Sequence, residues 1–286
     1  MLRRSNRAVL LVLIMVAGPS VADDGPPADA TEPPPIGDFL VIPLHVHLLS
    51  ADDAPDLHSR LESADVRRVV GKVNRIWNLA GIHWGLASID REPVANLEAF
   101  RARRGKDPDG QAPLPAYRDL RPEGTRGGDG LHVYYLHKFS VNGVYLNGNY
   151  AFVQDSARLR QVEGGIDEPI PRVTAHELGH ALGLRHREDR VNLLASGTTG
   201  TRLNAREVET ARDHARRYRG ARSWAEVRDQ AEAEEAKQPR TARLLWSWLS
   251  EIPGVDRPAI QARIDSLPAD DEPIPGRSAT GPEASR

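Results

Sequence analysis

The segment His176-Glu177-Leu178-Gly179-His180-Ala181-Leu182-Gly183-Leu184-Arg185-His186 constrains this chain more than any other. In an α-helix each residue turns about 100° and rises about 1.5 Å, so His176 and His180 lie one turn apart on one face, where two imidazoles can grip one ion. Glu177 is turned about 100° from His176, out of easy ligating reach but suited to address a water beside that ion. Ala175, Leu178 and Leu182 form an apolar stripe that seats such a helix on a core. A helix continuing to His186 would carry it about 9 Å along the axis from His180, whereas zinc–nitrogen bonds are about 2.0–2.1 Å. The helix must therefore stop, and Gly183 stands where the stop is needed, because glycine enters the left-handed conformation of a helix end without strain. Three neutral imidazoles leave tetrahedral zinc one open position, as in catalytic sites, whereas structural sites fill all four, commonly with thiolates. This chain has no cysteine. Chance placement of these residues at this spacing has odds on the order of one in ten thousand, which disfavours a surface helix that merely happens to carry histidines.

With 286 residues and 40% hydrophobic content, the chain can build a substantial core as one large domain or two small ones. A formal net charge of -2 gives no sign of a nucleic-acid partner. The basic cluster Arg101, Arg103, Arg104 and Lys106 sits among Asp and Gly and reads as a solvated loop. At the start, Arg3, Arg4 and Arg7 precede an apolar run over residues 8–16, then Gly18-Pro19 and Ser20-Val21-Ala22. This reads as an export signal cleaved after Ala22, since a run of about ten residues is too short for a membrane span of about twenty. The expected location is extracytoplasmic, secreted or periplasmic, with no membrane association after cleavage. Both methionines, Met1 and Met15, fall in this leader.

Residues 23–36 are rich in Pro and acid and predict an extended tether. Residues 39–49 alternate as a strand, in which Pro43 suggests an edge or a bulge, and His45 and His47 share one face as satisfied strand histidines rather than a second metal site. Asp65 is placed to cap a helix with the stripe Val66, Val69, Val70, Val73, Trp77 and Ala80, closed by Gly81. Gly71 inside it costs about 1 kcal/mol against Ala without a visible reason. Residues 82–89 read as a strand, 91–130 as a long loop or insertion, and 131–136 and 150–153 as further strands. A helix over residues 171–182 enters through Pro169 and Pro171. Another begins at Asn204, with Glu207 as reciprocal capping partner, Leu203 against Val208 as a staple, and Ala211, Ala215 and Tyr218 on the side of Val208. Beyond Gly220 come helical patterns over 223–236, 241–249 and 257–266, then a polar tail. Trp246 and Trp248 are either packed on the domain or, in a competing reading, anchors for a partner.

The segment HELGHALGLRH resembles the extended zinc signature H-E-x-x-H-x-x-G-x-x-H of the metzincin metallopeptidases. The resemblance implies Zn²⁺ held by His176, His180 and His186, Glu177 as general base, and a mixed α/β (α+β) fold. In that fold a twisted, mostly parallel sheet with one antiparallel edge strand packs on an active-site helix and a backing helix. The edge strand pairs with extended substrate along the cleft and is expected near residues 150–153. The matching domain would cover residues 37–219, with a helical extension over 220–267 and a disordered tail over 268–286. Family members place a tight methionine turn beneath the zinc histidines. Residues 191–197 resemble it, with Leu194 in the methionine position as a near-isosteric filler. Arg187 fits none of the usual subfamily markers, and Ser196 stands where some subfamilies carry a metal-reaching tyrosine. Glu188 and Asp189 read as a solvated turn rather than as partners of a zinc ligand.

The function expected from these residues is zinc-dependent hydrolysis of peptide bonds in extracytoplasmic proteins or peptides. Its rival is a zinc-containing scaffold of the same shape that binds peptide or another partner without cutting it.

Overall fold

The computed structural model describes residues 29–104, 114–138 and 140–268. The expected export signal, Lys106 and the expected tail beyond residue 268 lie outside the described residues.

Strands β1 (Leu40–Ser50), β2 (Ile82–Pro93), β3 (Leu131–Leu136), β4 (Gly143–Tyr145) and β5 (Tyr150–Gln154) form a sheet in the order β2-β1-β3-β5-β4. β1 runs parallel to β2 and β3, and β3 parallel to β5, while β4 pairs antiparallel with β5. A short strand β6 (Arg222–Ser223) pairs antiparallel with the start of β1. The result is a mixed α/β protein with a mostly parallel sheet. Parallel strands are covered on both faces, which is why β3 reads LHVYYL and every residue of it is buried.

One face of β1 presents Ile42, Leu44, Val46 and Leu48 to the main core, shared with α1 (Ser63–Trp77) and α3 (Pro169–Ala181). The stripe Val66, Val69, Val70, Val73 and Trp77 is buried there, each side chain contributing about 1.5–3 kcal/mol relative to exposure. The Trp77 indole N–H donates to the Ala175 carbonyl at 3.2 Å, fixing α1 as the helix behind α3. α4 (Ala205–Ala215) closes this side, its start held by the reciprocal bonds Glu207 N–H to Asn204 Oδ1 and Asn204 N–H to Glu207 Oε2, both 2.9 Å.

Several expectations change. β1 is a central strand, so of the two readings of Pro43 the edge fails while the bulge is borne out by the register shift beside it. Pro43 is tolerated because, on the side away from β2, it falls between the β6 pairing at Leu40–Val41 and the β3 pairing that starts at Leu44, and the register with β2 shifts just beyond it, between Leu44 and His45. Helix α1 starts earlier than Asp65. That carboxylate instead reaches back from the first turn to accept the Glu62 N–H at 3.0 Å. The segment near residues 150–153 is the interior parallel strand β5, and the antiparallel edge is β4. β4 left no signal because three residues are too few to show alternation.

The stretch 91–130 is not simply a loop. It holds the end of β2, α2 (Leu97–Arg104) and 3₁₀ turns at Leu114–Leu120 and Glu123–Thr125. Phe100, Tyr117 and Leu120 cover the second face of the sheet against Tyr134 and Phe152, with the Phe100 and Tyr117 rings 4.9 Å apart. Apolar side chains scattered without period are recruited by tertiary packing here. Arg101 pairs with Asp53 and Glu98, Arg103 with Asp119, and Arg104 with Asp56. The described part of the tether is docked: Ala30 N–H donates to Leu203 O at 2.9 Å, and Arg202 pairs with Asp29 at 3.3 Å.

The helices α5 (Trp224–Glu234), α6 (Pro239–Ser250) and α7 (Arg257–Ser266) share a third core with Phe39, which precedes β1, and with Val41 of β1. Trp246 and Trp248 are buried in it, and the Trp248 N–H donates to Leu86 O at 2.9 Å, so they serve packing and not docking. Gly85 makes room for that ring, since a Cβ there would collide with Cδ2 of Trp248. Among the described residues no helix is long and apolar enough to cross a membrane.

Candidate metal centre

Helix α3 begins with Pro169 and Pro171, where the first-turn amides have no helical partner. Ala175, Leu178, Ala181 and Leu182 anchor it in the main core. It stops where the spacing demands. Gly183 adopts φ +80°, the Leu184 N–H donates back to Gly179 O and the Gly183 N–H to His180 O, both at 3.0 Å. This pair of bonds is the Schellman end, and it turns the chain so that His186 returns to the helix.

His176, His180 and His186 converge: His180 Nε2 lies 3.0 Å from His176 Nε2 and 3.1 Å from His186 Nε2. The opposite nitrogens decide what this means. His176 Nδ1 is 2.8 Å from Leu193 O, and His180 Nδ1 is 2.8 Å from Leu184 O. A carbonyl can only accept, so in both rings Nδ1 carries the proton and the neutral ring turns a bare lone pair inward at Nε2. Lone pairs about 3 Å apart repel unless a cation lies between them, so the donor set fits a metal ion. These three histidines are the group so arranged among the described residues. Burial, assisted by the Arg172 guanidinium and the neighbouring imidazoles, pushes the His176 ring down to about 2, and burial also lowers His180 and His186. All three are therefore held neutral, the form that ligates.

Glu177 is 5% exposed beside them. Burial pushes its carboxyl up to about 8, against the opposing pull of the Tyr145 backbone N–H and the Arg172 charge. Strand β4 passes close enough for that contact because residue 143 is glycine: a Cβ there would stand 2.7 Å from Val173 Cγ1 and 2.9 Å from Glu177 Oε1. The cleft over these groups measures about 670 Å³ and is lined by β4, Val141, Leu159, Val173, the three histidines and Ser196. A hollow of about 740 Å³ between α1 and α7 contains no such trio.

Leu194 is fully buried, its methyl carbons 3.3 and 3.5 Å from where a Cβ of Gly179 would stand, so the turn lies under the helix between the first two histidines. Its support was invisible in the sequence. The Asn192 side chain accepts the Leu194 N–H at 2.7 Å and donates to Glu207 Oε2 at 2.8 Å, and Arg187 donates to Glu207 Oε1 at 2.7 Å. Glu188 and Asp189 are exposed, and Asp189 accepts the Val191 N–H at 3.2 Å, a local turn bond. His45 and His47 lie away from this centre on the other face of β1. His45 meets Ser88 Oγ at 3.1 Å, while His47 bridges Glu92 at 2.6 Å and His132 at 2.9 Å.

No protein-family model matches the chain, and no curated protein matches it. Fold and site define a mixed α/β protein with three histidines positioned to bind a metal ion.

Proposed function

We propose that this protein is a zinc-dependent endopeptidase of the metzincin type, acting on extracytoplasmic proteins or peptides. The observation that carries this reading is the convergence of three Nε2 atoms, those of His176 and His180 turning bare lone pairs inward, next to the buried Glu177 carboxyl in an open cleft. A set of three imidazoles without thiolate suits Zn²⁺. Zinc in that site supplies Lewis acidity, activating a water and polarising the scissile carbonyl. The protein does the rest. Hydrogen bonds from Nδ1 of His176 and His180 to backbone carbonyls fix the ring tautomers and orientations. Glu177 accepts a proton from the attacking water and returns it to the departing amine, a role suited by its burial, since a desolvated carboxylate holds a proton more tightly than a solvated one. Edge strand β4, paired on one side only among the described residues, offers its other side to an extended peptide. The residue pattern at the chain start supports export as the route to such substrates.

The test combines metal analysis with casein cleavage, with and without a chelator. One zinc per chain and chelator-sensitive cleavage are expected. Glu177→Ala should keep the zinc and lose about 10²–10⁴-fold in rate. Zinc binding without any cleavage by the wild type would favour the non-cutting scaffold, and absence of bound metal would remove both readings.

A further inference from the structure

Arg172 stands one helical turn before His176 and is 2% exposed, although it carries a permanent charge. Burying a guanidinium is costly unless its donors are matched, and among the described residues none of the ion pairs within 4.0 Å includes Arg172, the Glu177 charge acting on it only through space. Its partners are backbone carbonyls of one loop. Nε donates to Gly200 O at 3.1 Å, while Nη2 donates to Ala195 O and approaches Asn192 O at 3.5 Å. Nη1 lies 3.2 Å from His176 Nδ1, but that nitrogen already spends its proton on Leu193 O, so cation and imidazole sit side by side as donors to the same loop. The carbonyls of Asn192, Leu193, Ala195 and Gly200 thus turn toward two groups of α3, three of them toward the guanidinium and one toward the ligand ring.

We propose that Arg172 is a positioning residue of the metal centre, its forked donors fastening the 192–200 loop so that Leu193 O keeps the His176 ring in its ligating orientation and tautomer. This rests on the metal-binding reading above. An apolar side chain of equal volume would fill the same space at lower desolvation cost, but it would leave inward carbonyls unmatched and free the loop to rotate. Lysine would keep the charge, yet a single ammonium cannot reproduce the planar fork. A competing effect has the opposite sign: a cation beside the site repels a metal ion, and if that dominated, removing it would tighten binding.

The experiment is equilibrium zinc affinity by chelator competition, together with the absorption spectrum of the Co²⁺-substituted protein, for wild type, Arg172→Met and Arg172→Lys. Both variants are expected to lose about 10–100-fold in zinc affinity and to show altered Co²⁺ ligand-field bands, while apo circular dichroism stays that of the wild type. Unchanged or tighter zinc binding with an unaltered Co²⁺ spectrum overturns the proposal. Failure of both variants to fold even at saturating zinc overturns it as well, since Arg172 would then belong to the fold and not to the site. A wild type that binds no zinc is a separate outcome, which removes the metal-binding reading itself.

Discussion

Gly183 meets two demands at one position. Its φ of +80° lies in the left-handed region, and a Cβ there would stand 2.5 Å from Cε1 and Nε2 of His214, whose ring is held by the Thr210 carbonyl at 3.0 Å. Gly183→Ala is therefore expected to destabilise the protein by at least the roughly 1–2 kcal/mol of left-handed strain and, on the proposed reading, to weaken metal binding, because His186 depends on the turn. Thermal melting with a zinc titration checks this, and a variant matching the wild type in both would mean that His186 reaches the site by another route. The residues of this motif were legible because helix geometry is local: 100° per residue fixes which of them share a face. Arg172, Asn192 and the Leu193 carbonyl were not. Their partners lie up to 28 positions away, and an arginine ahead of a helical motif looks like any other.

At the scale of elements, α1 was readable from its valine spacing, yet Gly71 in its middle had no evident reason. The structure gives none in packing: a Cβ at Gly71 would meet nothing within 4 Å. Gly71→Ala should thus stabilise the protein by about 0.5–1 kcal/mol, seen as a higher urea midpoint at unchanged slope. No gain would indicate that the helix backbone there is not freely helical in the native state. The misplaced edge strand has a different cause. Residues 150–153 have the stronger strand composition, but which strand ends a sheet depends on pairings made across the whole chain. Three residues between Asn142 and Leu146 reveal nothing of that, although β4 is the strand that borders the cleft.

Across the whole molecule, the second face of the sheet buries titratable groups far from the metal centre. Burial pushes His47 and His132 down to about 4, while Asp90 pulls His47 the other way. Burial alone pushes His83 down to about 3. His132 and His83 stay neutral when folded but take a proton when unfolded, so stability is full above about pH 6.5 and falls as pH drops toward 4, whereas the Glu92 carboxylate 2.6 Å from His47 opposes that loss at His47. Each contributes a slope of up to about 1.4 kcal/mol per pH unit in that window. Urea midpoints of the metal-free protein between pH 7.5 and 5 should decline accordingly, with the buried His176, His180 and His186 adding to the slope. His132→Gln should flatten the decline; an unchanged slope would assign it to other groups. The layered plan of sheet and helices was legible from alternating and helical periods, whereas the union of the last three helices with β1 was not, since Phe39, Val41 and Trp248 are brought together only by folding. One feature of the centre reaches beyond folding. With Leu194 beneath the three histidines, no Cys in the chain and Met only at positions 1 and 15, peroxide and hypochlorite find no thioether or thiol to convert where these histidines are held. The support of the centre is thus indifferent to oxidants that would turn a methionine in that place into a polar sulfoxide.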